Sequence, residues 1–142
     1  MHLFTLLNKL LISISLCIFP LISKAQSIYP ENDGDKVRYN IQIDIRKSYV
    51  SGICILLNNN NNIVSCIVNE FGLSLMDFTY DGKKEKIRIH NIANKLNRWY
   101  IKRVIKKDLK EVLEVMRKGG KEYYNEKYEI KYTFSLNNGF TE

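Results

Sequence analysis

The sequence predicts an α+β domain, a curved antiparallel sheet packed on one main helix. Three observations carry that expectation. Between residues 36 and 90, apolar residues recur at every second position in short runs divided by turn-forming residues. From 101 to 116 they recur at the three- and four-residue spacing of an amphipathic helix. After the helix the period returns to two, up to Leu136.

The amino-terminal stretch reads as a signal for export. Lys9 precedes an apolar run from Leu10 to Ile22, interrupted by Pro20 and ending at Ser23-Lys24-Ala25. Small residues at 23 and 25 predict a signal peptide over 1–25, cleaved after Ala25, and the run is short for a membrane span. Cys17 follows Leu16 and precedes more apolar residues, a setting that disfavours lipidation. The expected product is periplasmic or otherwise exported. Removing 25 of 142 residues leaves 117, enough for one domain with one core. Of the 22 basic residues only Lys9 and Lys24 precede residue 26, and none of the 15 acidic ones does, so the exported chain carries +5. That charge is spread along the chain. Export makes a nucleic-acid partner a poor fit, while the mildly basic charge allows an anionic membrane surface as one.

Residues 26–35 read as a polar leader, with Pro30 and Gly34 blocking regular structure, and 36–142 as the single domain. From Lys36 to Arg46 the residues Val37, Tyr39, Ile41, Ile43 and Ile45 alternate with polar ones, which predicts a strand with one wet face. Val50 to Leu57 is apolar on both faces and belongs centrally in a sheet. Asn58 to Asn62 then read as a five-residue hairpin loop. With that loop centred on Asn60, Cys54 falls opposite Cys66 within disulfide reach, and an oxidising compartment permits the bond. The alternative is two small thiols in a strand-rich core, and a slip of one residue puts the sulfurs on opposite faces.

Gly72 to Tyr80 changes phase between Leu75 and Met76, the mark of a β-bulge. Asp81-Gly82 turns the chain into a fourth strand, Glu85 to His90. Leu96 and Trp99 are expected in a short turn leading into the main helix, which Gly119-Gly120 ends. Glu122 to Leu136 reads as one further strand. It is followed by the Asn137-Asn138-Gly139 turn signal with little chain to return, which reads either as a frayed tail or as a carboxy-terminally shortened domain. The outer backbone edge of 127–136 is then expected to be free, and the chain either to be marginally stable or to dimerise through that edge.

Catalytic material is scarce. His90 is the only histidine after the leader and reads as an exposed strand residue. Asp77, Asp81 and Glu85 flank a turn whose solvation explains them, and no metal-ligand pattern, phosphate loop or cofactor motif stands out. A non-enzymatic protein without a cofactor is expected. Lys102, Arg103, Lys106, Lys107 and Lys110 on the outer side of the helix either meet anionic lipid or an acidic partner, or simply solvate a core helix.

Ser51-Gly52, Asn69-Glu70-Phe71-Gly72, Phe78 and the segment from Lys95-Leu96-Asn97 to Lys107-Asp108-Leu109 form an ordered series. Over about residues 36–139 it resembles the lipoprotein carrier and outer-membrane lipoprotein receptor (LolA/LolB-like) superfamily, in the form of small exported proteins of Bacteroidetes-type bacteria. The resemblance implies an unclosed β-barrel wrapped around helix, with an apolar hollow for an acyl chain or lipoprotein. On that expectation Ile53, Ile55, Phe71, Phe78, Leu109, Leu113, Met116, Tyr132 and Phe134 line the hollow. The expected function is that of an apolar-ligand or lipoprotein-binding protein of the cell envelope. The alternative is a structural or protein-interaction domain with a filled core, and the two are separated by whether the space between helix and strands is open.

Overall fold

Alternation at period two builds β1, Lys36–Ile45: Val37, Tyr39, Ile41 and Ile43 are buried, while Lys36, Arg38, Asn40 and Gln42 face solvent. The computed structural model describes residues 28–138 together with 3, 5 and 6, so the signal cleavage after Ala25 and the question of Cys17 lie outside the described residues. β2, Ser48–Asn59, and β3, Asn62–Val68, form the central hairpin. Its turn is shorter than the asparagine run suggests. Only Asn60 and Asn61 turn, both in the left-handed region at φ 53° and 67°, as a two-residue turn that matches the twist of the strands requires.

That turn corrects the disulfide. Cys66 lies opposite Ile55 and Cys54 opposite Ile67, one residue away from the expected pairing. The sulfurs consequently project from opposite faces, and both cysteines are free. Cys54 is buried on the inner face with Ser65 Oγ at 3.4 Å, and Cys66 is half-buried on the outer face.

β4, Ser74–Asp81, carries the expected bulge: Ile67 pairs with Met76 but Val68 with Ser74, so Leu75 is the extra residue. β5, Lys86–Ile92, shows a second shift beside Asp77 and Phe78. A 3-10 turn, Asn94–Leu96, buries Leu96 and leads to α1, Trp99–Arg117. Trp99 does not anchor that turn; as the first residue of α1 it is 74% exposed. Ile105, Leu109, Val112, Leu113 and Met116 form the buried stripe of α1, and Gly119 at φ 83° ends the helix.

The expected strand over 122–136 is two strands, β6, Glu122–Asn125, and β7, Ile130–Leu136, folded on each other. The sheet order β5-β4-β3-β2-β1-β7-β6 places β7 between β1 and β6. Both backbone edges of the 127–136 region's strand are therefore paired, which removes the expected edge and the route to a dimer through it. Among the described residues the edges of the sheet are β5 and β6. All seven strands are antiparallel and curl into a half-barrel whose inner face α1 covers. No helix among the described residues is long and apolar enough to cross a membrane.

Residues 28–35 of the leader belong to the fold. Tyr29 is buried with the core, the Tyr39 hydroxyl donates to the Ile28 carbonyl, and the Asn58 amide donates to the Pro30 carbonyl at 2.8 Å. Gly34 N–H donates to the Asn58 carbonyl and Asn60 N–H to Asp33 Oδ1, so residues 28–35 seal the end of the half-barrel below the Asn60-Asn61 turn.

Candidate functional site

The nine residues expected to line a hollow separate into two groups. Phe78, Leu109, Leu113, Met116, Tyr132 and Phe134 do converge between α1 and the sheet, but each is between 0 and 3% exposed. A void wide enough for a water molecule would leave accessible surface on its walls, so this space is filled by the side chains themselves. Ile53 and Ile55 are not among them. Because β2 pairs Cys54 with Tyr39 and Leu56 with Val37, those two point inward and the isoleucines outward. Phe71 is 78% exposed in the β3–β4 connection.

A small pocket of about 250 Å³ is bordered by Met116, Phe134, Tyr39 and Ile28 at the carboxy end of α1; the larger concavities lie on the outside. One, of about 750 Å³, runs between the first half of α1 and the β6–β7 hairpin. Trp99 and Tyr100 fall off the buried stripe of α1 and stand edge to face, with ring centres 5.8 Å apart. Arg103 and Lys107 follow on the same side, Tyr123 and Tyr128 face them from the hairpin, and Lys127 Nζ sits 5.4 Å from the Tyr128 ring centre.

The floor of this groove is Asp108, which is 2% exposed. Tyr132 Oη–H donates to its Oδ2 at 2.8 Å, and the Asn125 amide donates to its Oδ1 at 2.8 Å. Asn125 Oδ1 in turn accepts from Tyr128 N–H at 3.2 Å, which shapes the hairpin turn. Burial raises the Asp108 carboxyl above its ordinary range, against the opposing pull of these two hydrogen bonds. Burial, and then the Asp108 charge, raises Tyr132 well above the usual phenol range. Both carboxylate oxygens are engaged, so Asp108 holds helix and hairpin together. The rigid groove above it offers ring faces for stacking and cations for an anionic group.

A second, shallower trough of about 600 Å³ crosses the outer face of β7, β1 and β2, where Gln42, Tyr49, Ser51, Glu70 and Thr133 surround Ile53. His90 is exposed on the outer face of β5, with Nε2 2.9 Å from Thr79 Oγ1. Asp81 accepts the backbone N–H groups of Lys83 and Lys84, which lower its carboxyl and account for it as a turn residue. Among the described residues no three His, Cys, Asp or Glu side chains gather as metal ligands would.

Asp108 and the aromatic pair were hidden by the helix pattern. Asp108 lies seven residues after Ile101 and three after Ile105, on the apolar stripe itself, and an acid at such a position signals a buried carboxylate with partners. Compared with protein-family models, with curated proteins and with solved structures, the chain gives no match.

Proposed function

We propose that the protein is a non-enzymatic binding module of the cell envelope that holds its partner on its outside, at the end of the half-barrel where α1 begins. The observation that carries this reading is the α1/β6–β7 groove, where Trp99, Tyr100 and Tyr128 are exposed beside Arg103 and Lys107 over the fixed Asp108 floor. Exposed aromatic side chains beside cations are the composition of contact surfaces, since they offer large area at small entropic cost. The filled space between helix and sheet favours the interaction-domain alternative over an acyl chain carried inside.

A photo-crosslinking residue placed at Tyr100 is expected to capture a partner in cells, and the same residue at Lys84, at the opposite end, to capture none. Equal yields at both positions, or an adduct at Lys84 alone, would count against the reading. A fluorescent fatty acid is expected to show no saturable uptake by the folded protein. Uptake abolished by Leu113→Trp would restore the acyl-carrier function.

A further inference from the structure

β1, β3, β5 and β6 run toward one end of the half-barrel, and β2, β4 and β7 run away from it. The connections 46–47, 69–73, 93–98 and 126–129 therefore share that end with the start of α1. At or beside these connections Phe71 is 78% exposed, Trp99 74%, Tyr49 65% and Leu73 64%. The connections at the opposite end, among the described residues, expose one large apolar side chain, Ile28 at 40%. Single exposed apolar residues need no explanation, but their gathering at one end of a sheet does.

Charge is uneven in the same place. The four connections carry five cations, Arg46, Lys47, Lys95, Arg98 and Lys127, against the three carboxylates Glu70, Glu126 and Glu129. Lys102 and Arg103, near the start of α1, add to the excess. Phe71 and Leu73 share the 69–73 connection, Tyr49 stands just after 46–47 and Trp99 just after 93–98, so three separate segments bring bulky apolar side chains to the same end of the sheet. Aromatic rings settle at the boundary between headgroups and acyl chains, and cations are drawn to anionic headgroups.

We infer that this end docks the domain peripherally on a bilayer that contains anionic lipid. Phe71, Leu73, Trp99 and Tyr49 enter the headgroup layer, and Arg46, Lys47, Arg98 and Lys127 meet lipid phosphates. The inference rests on the proposed binding end and names its partner.

The test uses the chain expressed from its full-length gene, with parent and variants verified by mass to carry the same amino terminus. In co-sedimentation, the parent is expected to bind vesicles of phosphatidylglycerol and phosphatidylethanolamine at least about tenfold more tightly than phosphatidylcholine vesicles, and to be released by added salt. Phe71→Ser with Trp99→Ser is expected to weaken that binding at least about tenfold, with circular dichroism and thermal unfolding unchanged because both side chains are exposed. Arg98→Glu with Lys127→Glu is expected to abolish the preference for anionic vesicles. Parent and both variants binding alike would overturn the inference. A parent that ignores anionic vesicles yet yields a protein adduct at Tyr100 would overturn the lipid partner and leave the binding end standing. Neither vesicle binding nor an adduct would overturn both.

Discussion

Tyr132→Phe isolates one hydrogen bond at the centre of the groove floor. The substitution keeps the ring, which packs against Tyr123 at 6.0 Å between centres, and removes the hydroxyl that donates to Asp108 Oδ2. A bond to an ionised, buried acceptor contributes about 1.5–3 kcal/mol. A loss of about 2 kcal/mol at neutral pH, and a fall in Tm of roughly 10 °C, is therefore expected. The loss should depend on pH. Burial raises the folded-state carboxyl of Asp108, so its contribution to stability is fully present below the unfolded value of about 3.9 and is lost as pH rises through the folded value. The Tyr132 bond pulls that folded value down, and removing it extends the window upward. The deficit of Tyr132→Phe relative to the parent should be small in acid and grow toward neutrality. Asp108→Asn, which cannot ionise, should remove this part of the slope. Urea unfolding of the three proteins across the acid-to-neutral range reads both. The same deficit at all pH values, or an Asp108→Asn slope equal to the parent's, would refute the account of Asp108 as a buried carboxylate stabilised by Tyr132.

Two further predictions follow from the central hairpin. In unreduced, folded protein Cys66 should react with a thiol reagent and Cys54 should not, because burial pushes Cys54 up to about 11 and closes it to solvent; a reductant should leave the unfolding midpoint unchanged, and a peptide linking Cys54 to Cys66 would contradict the register. Gly52→Ala should cost about 2 kcal/mol in chemical denaturation, since the added Cβ would lie 2.2 Å from the Val68 carbonyl oxygen, a backbone atom; a neutral result would mean the bulge beside it yields freely.

The elements legible in the sequence were those whose pattern has a single interpretation. β1 alternates cleanly, the stripe of α1 admits one face, and the phase change at Leu75 is where the ladder skips a residue. The central hairpin hid its register for a physical reason. Five consecutive asparagines tolerate the left-handed region equally, so composition does not distinguish which two turn. β2 is apolar on both faces, so nothing in its alternation corrects a one-residue slip against β3, which separated the cysteines, or tells which face turns inward, which left Ile53 and Ile55 misplaced. The β6–β7 turn was concealed because no glycine or proline marks it; its only trace is the polar run Asn125-Glu126-Lys127, which breaks the alternation, and Glu129 at φ 54° supplies the left-handed residue. The groove was not legible as a site, since its aromatic residues come from two segments that only the hairpin brings together.

The placement of β7 against β1 sets an order on folding. Tyr39 pairs with Leu136 and Ile45 with Ile130, so the first strand of the sheet waits for the last one to be synthesised. The meander from β1 to β5 can form by local pairing, but until β7 arrives the hydrogen-bonding row of β1 is bare beside Val37, Tyr39, Ile41 and Ile43. Contacts between such distant parts of a chain form late and slowly. The hazardous interval is therefore the one between completion of the meander and capture of the carboxy-terminal hairpin, when an unfinished chain offers a strand edge to any other chain in the same state.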